Sequence, residues 1–543
     1  MIERTGGEAV VRALAAHGVD LVFGIPGTHN LAIYAALDAH GIRHVSPRHE
    51  QGAGYAADGY ARISGRPGVV ITTTGPAALN VSAALAQAYS DSVPVLAVSP
   101  GLPLAHPARG NGYLHEVKDQ TGAMDAVVAY SHRVTSVAEI PGAVAEAFVA
   151  MTAGRPRPVH LEVPLDLLEA SAPTPDVAPV ATARPCPSDD ALAAAAAFLA
   201  DARRPVLVVG GGARSAAAQV RRLAERLGAS VVATTNGKGV LAERHPLAVG
   251  AGVHHPAVQA LAEDSDAVVA VGTELAPADL WYGPLPTDGK LVHVDIDAGQ
   301  LVRNARPRVA LAGDAATTLD ALLARLPDAG DTTTDVATAE TRAEAEARAA
   351  QWRQRLRDDA RKEGADWLGL VDVLAEVLAD DAVVAGDSTM ACYYGVLANL
   401  PRHRPGAFLY PTGLGTLGYG LPAAMGAKLA SPDTDVVAVL GDGGVMFTLP
   451  ELAAAAQAGL ALPVLVVDNG GYGEIRREML ERDETPLGTE LPAVDLPAAA
   501  RALGCHGHEV GTLAQLPELL ETALTADRPT LLRVPETITG STP

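Results

Sequence analysis

The 543-residue sequence predicts an α/β protein built as three doubly wound parallel-sheet domains. Three observations lead there. Short apolar runs such as Val69-Val70-Ile71-Thr72, Val95-Leu96-Ala97-Val98 and Val436–Leu440 recur along the chain and read as strands buried on both faces. Runs with helical periodicity separate them, so each strand can be followed by a crossover helix and pair parallel to the next. A Pro/Ala-rich stretch at 170–188 and a polar, Thr/Ala-rich stretch at 328–350 interrupt this alternation and read as connectors. They divide the chain into 1–170, 189–326 and 365–535.

In the first segment Glu8–His17 is amphipathic and Leu21-Val22-Phe23 is a short strand. The loop Gly24-Ile25-Pro26-Gly27-Thr28-His29-Asn30 follows it, at a strand C-terminal rim where parallel sheets take their ligands. An imidazole such as that of His29 titrates near working pH and suits proton transfer. His49-Glu50 opens the run HEQGAGYAADGYARISGRPGVVITTTGPAALN, which ends at Asn80. A second histidine, His115, lies in the Gly-rich loop Gly112-Tyr113-Leu114-His115-Glu116, with Asp119 and Gln120 close behind.

The middle segment carries VLVVGGG at Val206–Gly212, VVAVG at Val268–Gly272 and LVHVDID at Leu291–Asp297. A triple glycine after a strand suggests a dinucleotide loop. Its spacing lacks a clean GxGxxG, and Asp295 and Asp297 lie far downstream.

In the third segment Ser388-Thr389 follow the strand Ala382–Ala385, and Gly413–Gly418 precedes a helix beginning near Leu421-Pro422. The strand Val436–Leu440 runs into Gly441-Asp442-Gly443-Gly444. An Ala-rich helix, Leu449–Leu460, leads to the strand Pro463–Val467 and then Asp468-Asn469-Gly470-Gly471. Asp442 offers a carboxylate, Asn469 an amide oxygen and Gly471 a carbonyl, all hard oxygen ligands suited to Mg²⁺. Gly443 and Gly444 let backbone N–H groups approach phosphate oxygens closely. The helix GEIRREML then starts with Glu474 in its first turn.

The Asp442 and Asn469 motifs together with the Glu50 run resemble the thiamine diphosphate enzymes of the acetolactate synthase and 2-oxo acid decarboxylase family. The words FGIPG-x-H, PRHEQGAG, ADGYAR, LHE and GYGEI are most similar to the 5-guanidino-2-oxopentanoate decarboxylases within it. The resemblance implies a thiamine diphosphate-binding fold with pyrimidine-binding, central and diphosphate-binding domains in chain order. It implies that Glu50 hydrogen-bonds the aminopyrimidine, while Asp442, Asn469 and Gly471 hold Mg²⁺ against the diphosphate. Asn80, Ser388, Thr389, Gly443, Gly444 and Tyr472 join the cofactor site. Gly415 supplies a carbonyl to the 4′-amino group, and Leu417 wedges beneath the bent cofactor, bringing that amine to the reactive carbon. His29, His115 and Gln120 fall among the catalytic positions, and Thr28 and Glu474 face the substrate.

The expected reaction is non-oxidative decarboxylation of a 2-oxo acid with a basic, guanidino-type tail. A carboligase or lyase of the acetolactate synthase or benzaldehyde lyase type is the alternative, and several departures bear on the choice. Pyruvate decarboxylases carry an aspartate where this chain has Thr28 and a histidine pair where it has His115-Glu116; acetolactate synthases carry small residues around 28 and 29. Benzaldehyde lyase has a histidine matching His29. Ala77 stands where the family has the second glycine of Gly-Pro-Gly. The family also places the cofactor between two subunits, which implies a homo-oligomer, a dimer with shared sites assembled as a tetramer. FAD is not expected in the central domain.

Composition sets the remaining bounds. A net charge of −22 without a basic stripe argues against nucleic acid or an anionic membrane as partner. The three cysteines, Cys186, Cys392 and Cys505, have no metal spacing and point to a reducing cytoplasm. Acids early in the N-terminal stretch are unlike a signal peptide. No run approaches the ~18 uninterrupted apolar residues of a membrane span.

Overall fold

The structure, a computed structural model, describes residues 2–107, 110–327 and 335–540, with backbone alone over 335–340. Apolar strands assemble into three six-stranded sheets in which every neighbouring pair is parallel. The first sheet runs, edge to edge, Arg43–Val45, Leu21–Gly24, Gly68–Ile71, Val95–Gly101, Val159–Pro164, Ser131–Arg133. The third runs Phe408–Leu409, Val383–Gly386, Val436–Gly441, Pro463–Asp468, Thr530–Pro535, His506–Glu509. Both follow one order, counting only the strands of that sheet along the chain: second, first, third, fourth, sixth and fifth. The middle sheet runs Ala248–Ala251, Ser230–Ala233, Pro205–Val209, Ala267–Val271, Leu291–Asp295, Val309–Ala312, the order of dinucleotide-binding folds.

Strand order reverses between the first and third strand of each end segment, and a parallel sheet opens a crevice at that point beyond its strand C-termini. In the first segment the crevice lies past Leu21–Gly24 and Gly68–Ile71, so the Thr28-His29 loop and the 72–80 turn border it. In the third it lies past Val383–Gly386 and Val436–Gly441, bordered by Ser388-Thr389 and Asp442. At the equivalent point of the middle sheet the triple glycine is already engaged: Gly210 N donates to Val271 O and Gly212 N to Gly272 O, both at 2.9 Å.

The connectors behave differently from each other. Ser171–Thr174 pairs antiparallel with Ile2–Thr5, and residues 175–188 have no regular structure, as a Pro-rich linker should. The expected second connector is corrected: from Asp335 it is helix, running to Glu363, while 328–334 lie outside the described residues. The reason is in its composition. Ala, Glu and Arg are strong helix formers, and Ala345, Ala349, Trp352, Leu356 and Ala360 recur every third or fourth position as one buried face. Among the described residues no helix is long and apolar enough to cross a membrane.

The helices Glu50–Ser64 and Gly420–Ala430 join the first segment to the third. They cross backbone against backbone. A Cβ on Gly59 would stand 2.1 Å from Ala423 O, and one on Gly426 would stand 1.9 Å from Ala56 O. The surrounding apolar residues of both segments form a single cluster, from Leu21 and Phe23 through Tyr55 and Tyr419 to Val464 and Leu531. Gly59→Ala is therefore expected to cost about 3 kcal/mol, because the Ala423 backbone carbonyl cannot step aside as a side-chain tip could. Thermal denaturation checks this, and an unchanged Tm would remove the seam's structural importance.

Candidate active site

The first crevice gathers the residues expected to do proton chemistry. Glu50 is the first residue of its helix, where the positive end of the dipole favours a carboxylate, and it is 9% exposed. Asn80, exposed on the helix Pro76–Ser90, donates from Nδ2 to Glu50 Oε2 at 2.9 Å. His29 is buried, its Nδ1 3.1 Å from Thr74 Oγ1 and its ring edge-on to that of His115, centroids 5.2 Å apart. Burial first, and the neighbouring His115 second, lower the His29 pKa below its usual value. His115 has a left-handed backbone (φ 63°), uncommon for a residue with a side chain, and its buried Nδ1 has no hydrogen-bond partner. Gln120 is fully engaged: Oε1 accepts from Gly75 N at 2.7 Å, and Nε2 donates to Pro100 O and Glu162 Oε2. That makes it a positioning group for the turn at Gly75. Thr28 is exposed at the rim.

The third crevice gathers oxygen ligands. Asp442 opens a short helical turn at the end of Val436–Gly441, its Oδ1 3.3 Å from Asn469 N, and burial pushes its carboxyl up to about 6. Asn469 Oδ1 is buried with no hydrogen-bond partner. A carboxylate raised by desolvation beside an orphaned amide oxygen is relieved by a hard cation, so this donor set fits Mg²⁺. The Gly471 carbonyl oxygen lies 3.3 Å from where a Gly443 Cβ would stand, on the same turn, and the Tyr472 ring packs over Gly443. A cavity of about 1020 Å³ opens here, lined by Asp442, Met446, Asn469, Tyr472, Arg476 and Leu491 among others. Thr389 Oγ1 would be 2.8 Å from a Cβ on Gly441, so Ser388 and Thr389 flank the Asp442 strand end. Gly415 is exposed and Leu417 half-buried on the loop before Gly420–Ala430, and Thr416 Oγ1 lies 2.5 Å from Tyr55 OH.

Glu474 sits in a third grouping. Its Oε1 accepts from Tyr394 OH at 2.9 Å and from Arg477 Nη2 at 2.6 Å, while its buried Oε2 has no partner. The Arg477 guanidinium lies over the Tyr394 ring, 4.7 Å from its centroid. Tyr393 and Trp281 complete the aromatic surround, with ring centroids 4.5 and 6.1 Å from that of Tyr394.

Three of these residues were not anticipated. Asp387, 1% exposed, accepts from the N–H groups of Ser388, Gly418 and Gly420 and so ties the Ser388 turn to the Leu417 loop; burial pushes it up to about 6. Glu451, also 1% exposed, accepts from Arg48 N and His49 N directly under the start of the Glu50 helix. An acid between a strand end and Ser388, and an acid opening an Ala-rich run, were the available signals. Tyr394, inside an apolar stretch, gave none. Among the described residues no hydrogen bond or ion pair joins Glu50, Asn80, His29 or His115 to Asp442, Asn469, Tyr472 or Glu474.

Three family models match the chain in succession: the thiamine pyrophosphate enzyme N-terminal TPP binding domain over 4–123, the central domain over 192–322, and the C-terminal TPP binding domain over 386–534. The chain is 43% identical over 504 residues to the "Probable 2-ketoarginine decarboxylase AruI" of Pseudomonas aeruginosa, covering 92% of this chain and 88% of that one. It is 32% identical to the acetolactate synthase isozyme 1 large subunit of Escherichia coli, over 87% of this chain and 83% of that one. With the probable acetolactate synthase large subunit of Methanocaldococcus jannaschii it shares 31% identity, over 97% and 91% of the two chains.

Proposed function

The chain belongs to the thiamine pyrophosphate enzyme family, and from that premise we propose that it is a thiamine diphosphate- and Mg²⁺-dependent decarboxylase of a guanidino 2-oxo acid. The observation that carries the substrate class is the Glu474 grouping. It already holds one guanidinium, that of Arg477, between a carboxylate and an aromatic face, and the second carboxylate oxygen stays unpartnered. The name of the Pseudomonas relative agrees with that chemistry.

When bound, the cofactor supplies a carbon nucleophile and an electron sink that lets the substrate carboxyl leave as CO₂. The chain's own groups do the rest. Asp442, Asn469 and the Gly471 carbonyl would hold Mg²⁺, and N–H groups of Gly443 and Gly444 with hydroxyls of Ser388 and Thr389 would bind the diphosphate. Leu417 and Gly415 would line the cofactor from the loop before Gly420–Ala430, and Tyr472 covers the Gly443 turn. Asn80 orients Glu50, which would share a proton with the pyrimidine ring. His29 and His115, packed edge to face, would hand protons to and from the substrate, with Thr28 and Glu474 facing it. Gln120 keeps the Gly75 turn in place. Three free thiols agree with a cytoplasmic location.

The test is a panel of 2-oxo acids with CO₂, aldehyde and acyloin assayed separately. The guanidino acid should exceed pyruvate and benzoylformate in kcat/KM, and CO₂ and aldehyde should appear in equal amounts. The acetolactate synthase relatives favour a second reading, carboligation, which acyloin as main product would establish in its place. Glu474→Gln should raise KM for the guanidino acid far more than for a neutral acid of equal length; equal changes would end the assignment of the tail.

The proposal includes a homodimer with shared sites, assembled as a tetramer. Among the described residues no hydrogen bond or ion pair joins the Glu50 and Asp442 groups within one chain, which supports sharing. So do exposed apolar side chains on both rims: Leu79 and Leu114 on the first segment, Met446, Phe447 and Ile475 on the third. Mixing inactive Glu50→Gln chains with inactive Asp442→Ala chains, unfolded and refolded together, should restore about a quarter of wild-type activity, because each mixed dimer keeps one intact site. No restoration would place both residues in one chain's site.

A further inference from the structure

The middle segment holds a side-chain cluster that the reaction above does not use. His254 and His255 lie between the strand Ala248–Ala251 and the helix Pro256–Asp264, and each is 2% exposed. Glu363 ends the long helix that began at Asp335. His254 Nε2 is 3.3 Å from Glu363 Oε2, and His255 Nε2 is 3.7 Å from the same oxygen. One ligand atom from each of the three residues falls within 4.8 Å of the others.

Hydrogen bonding accounts for only part of this. The first contact is within hydrogen-bond reach; the second is not, and His255 Nε2 is a buried ring nitrogen without a partner. Such a group calls for an explanation, and here, beside a second imidazole and a carboxylate, a bound ion supplies one. Ligands held about 2.0–2.1 Å from a tetrahedral ion stand about 3.3 Å apart, close to the first separation and within a small adjustment of the second.

The surroundings fix these rings. Gly252 has φ 112°, and a Cβ there would lie 2.8 Å from His255 Cδ2, so the loop passes directly over the ring. Trp281 stacks on His254 at 3.9 Å. One turn before Glu363, Asp359 Oδ2 accepts from Ala257 N at 2.8 Å, which locks the long helix in register against the histidine loop. Tyr282 OH donates to the other Glu363 oxygen at 3.4 Å.

We propose that His254, His255 and Glu363 bind one divalent transition ion of the zinc class through the two Nε2 atoms and the carboxylate, leaving a coordination position for water or a small solute. Two imidazoles and a carboxylate favour such an ion over Mg²⁺, whereas Asp442 and Asn469 offer only oxygen. The ion braces the end of the long helix against the middle sheet, beside the Trp281 and Tyr394 rings.

The test uses the full-length protein, stripped with a chelator, without thiamine diphosphate and in excess Mg²⁺ to saturate oxygen sites. Titrated with Co²⁺, it should bind one equivalent and develop the visible absorption of a low-coordinate nitrogen–oxygen site, and Zn²⁺ should displace it. Zn²⁺ should also raise the Tm of the wild type by mass action. Glu363→Gln and His255→Ala, with circular dichroism unchanged, should lose the absorption, the equivalent and the Tm rise; Asn469→Ala should keep all three. The proposal fails if the wild type retains no ion under these conditions, or if Glu363→Gln and His255→Ala retain as much as the wild type.

Discussion

Glu50→Gln is expected to lower kcat by about 10²–10⁴-fold, the usual worth of a positioned acid–base group, while leaving fold and cofactor binding nearly intact. The amide is isosteric and still accepts from Asn80, so the hydrogen bond at 2.9 Å survives in kind. What disappears is a group able to share a proton with the pyrimidine. The step to monitor is exchange of the thiamine C2 proton with deuterium in the enzyme-bound cofactor. It should slow in proportion to turnover. Exchange at the wild-type rate in the variant would show that Glu50 does something else.

Asp442→Ala and Asn469→Ala should fail earlier, at binding. Loss of a partner that merely orients a metal ligand costs 10–100-fold in affinity, so loss of a ligand itself should weaken Mg²⁺-dependent thiamine diphosphate binding by at least about 100-fold. Chelator-treated wild type should show the same loss and recover with Mg²⁺. Burial holds the Asp442 carboxyl up at about 6 in the cofactor-free protein. Below that pH the group carries a proton that the metal must displace, so wild-type binding should weaken on acidification through about 6 and not on alkalinisation. Titration calorimetry with either variant giving wild-type affinity would refute the metal reading.

Much of this site was legible because it stands on strand ends. An apolar run that stops at Gly441-Asp442 or Asp468-Asn469 announces both the strand and the direction in which its polar residue emerges. The run from His49 to Asn80 was equally informative: its glycines let the Glu50 helix touch another backbone, and its two ends meet as Glu50 and Asn80. What escaped were residues whose importance lies in burial by distant partners. Glu451 resembles a solvated helix acid until Arg48 and His49, some 400 positions away, are seen to donate to it. Asp387 is hidden in the same way, since Gly418 and Gly420 supply its N–H groups. The long helix is hard to see in the sequence because its polar surface dominates the composition, and only the spacing of Ala345, Ala349, Trp352 and Leu356 betrays a buried face. Gln120, expected among the catalytic positions, has both ends of its amide taken up by neighbouring groups, which no local pattern announces.

The glycine seam between the Glu50 helix and the helix Gly420–Ala430 changes how the molecule should be counted. By sheets it has three parts, but the first and third share one continuous apolar cluster, while the middle sheet is enclosed by two clusters of its own. Cooperativity follows shared cores rather than sheets, so the two ends of the chain make one melting unit and the middle another. During synthesis, then, the first segment emerges with the outer face of its Glu50 helix bare. Once made, that helix waits for more than 350 residues of further translation before Gly426 arrives to cover it. The interval between those two events is when this chain most needs a chaperone.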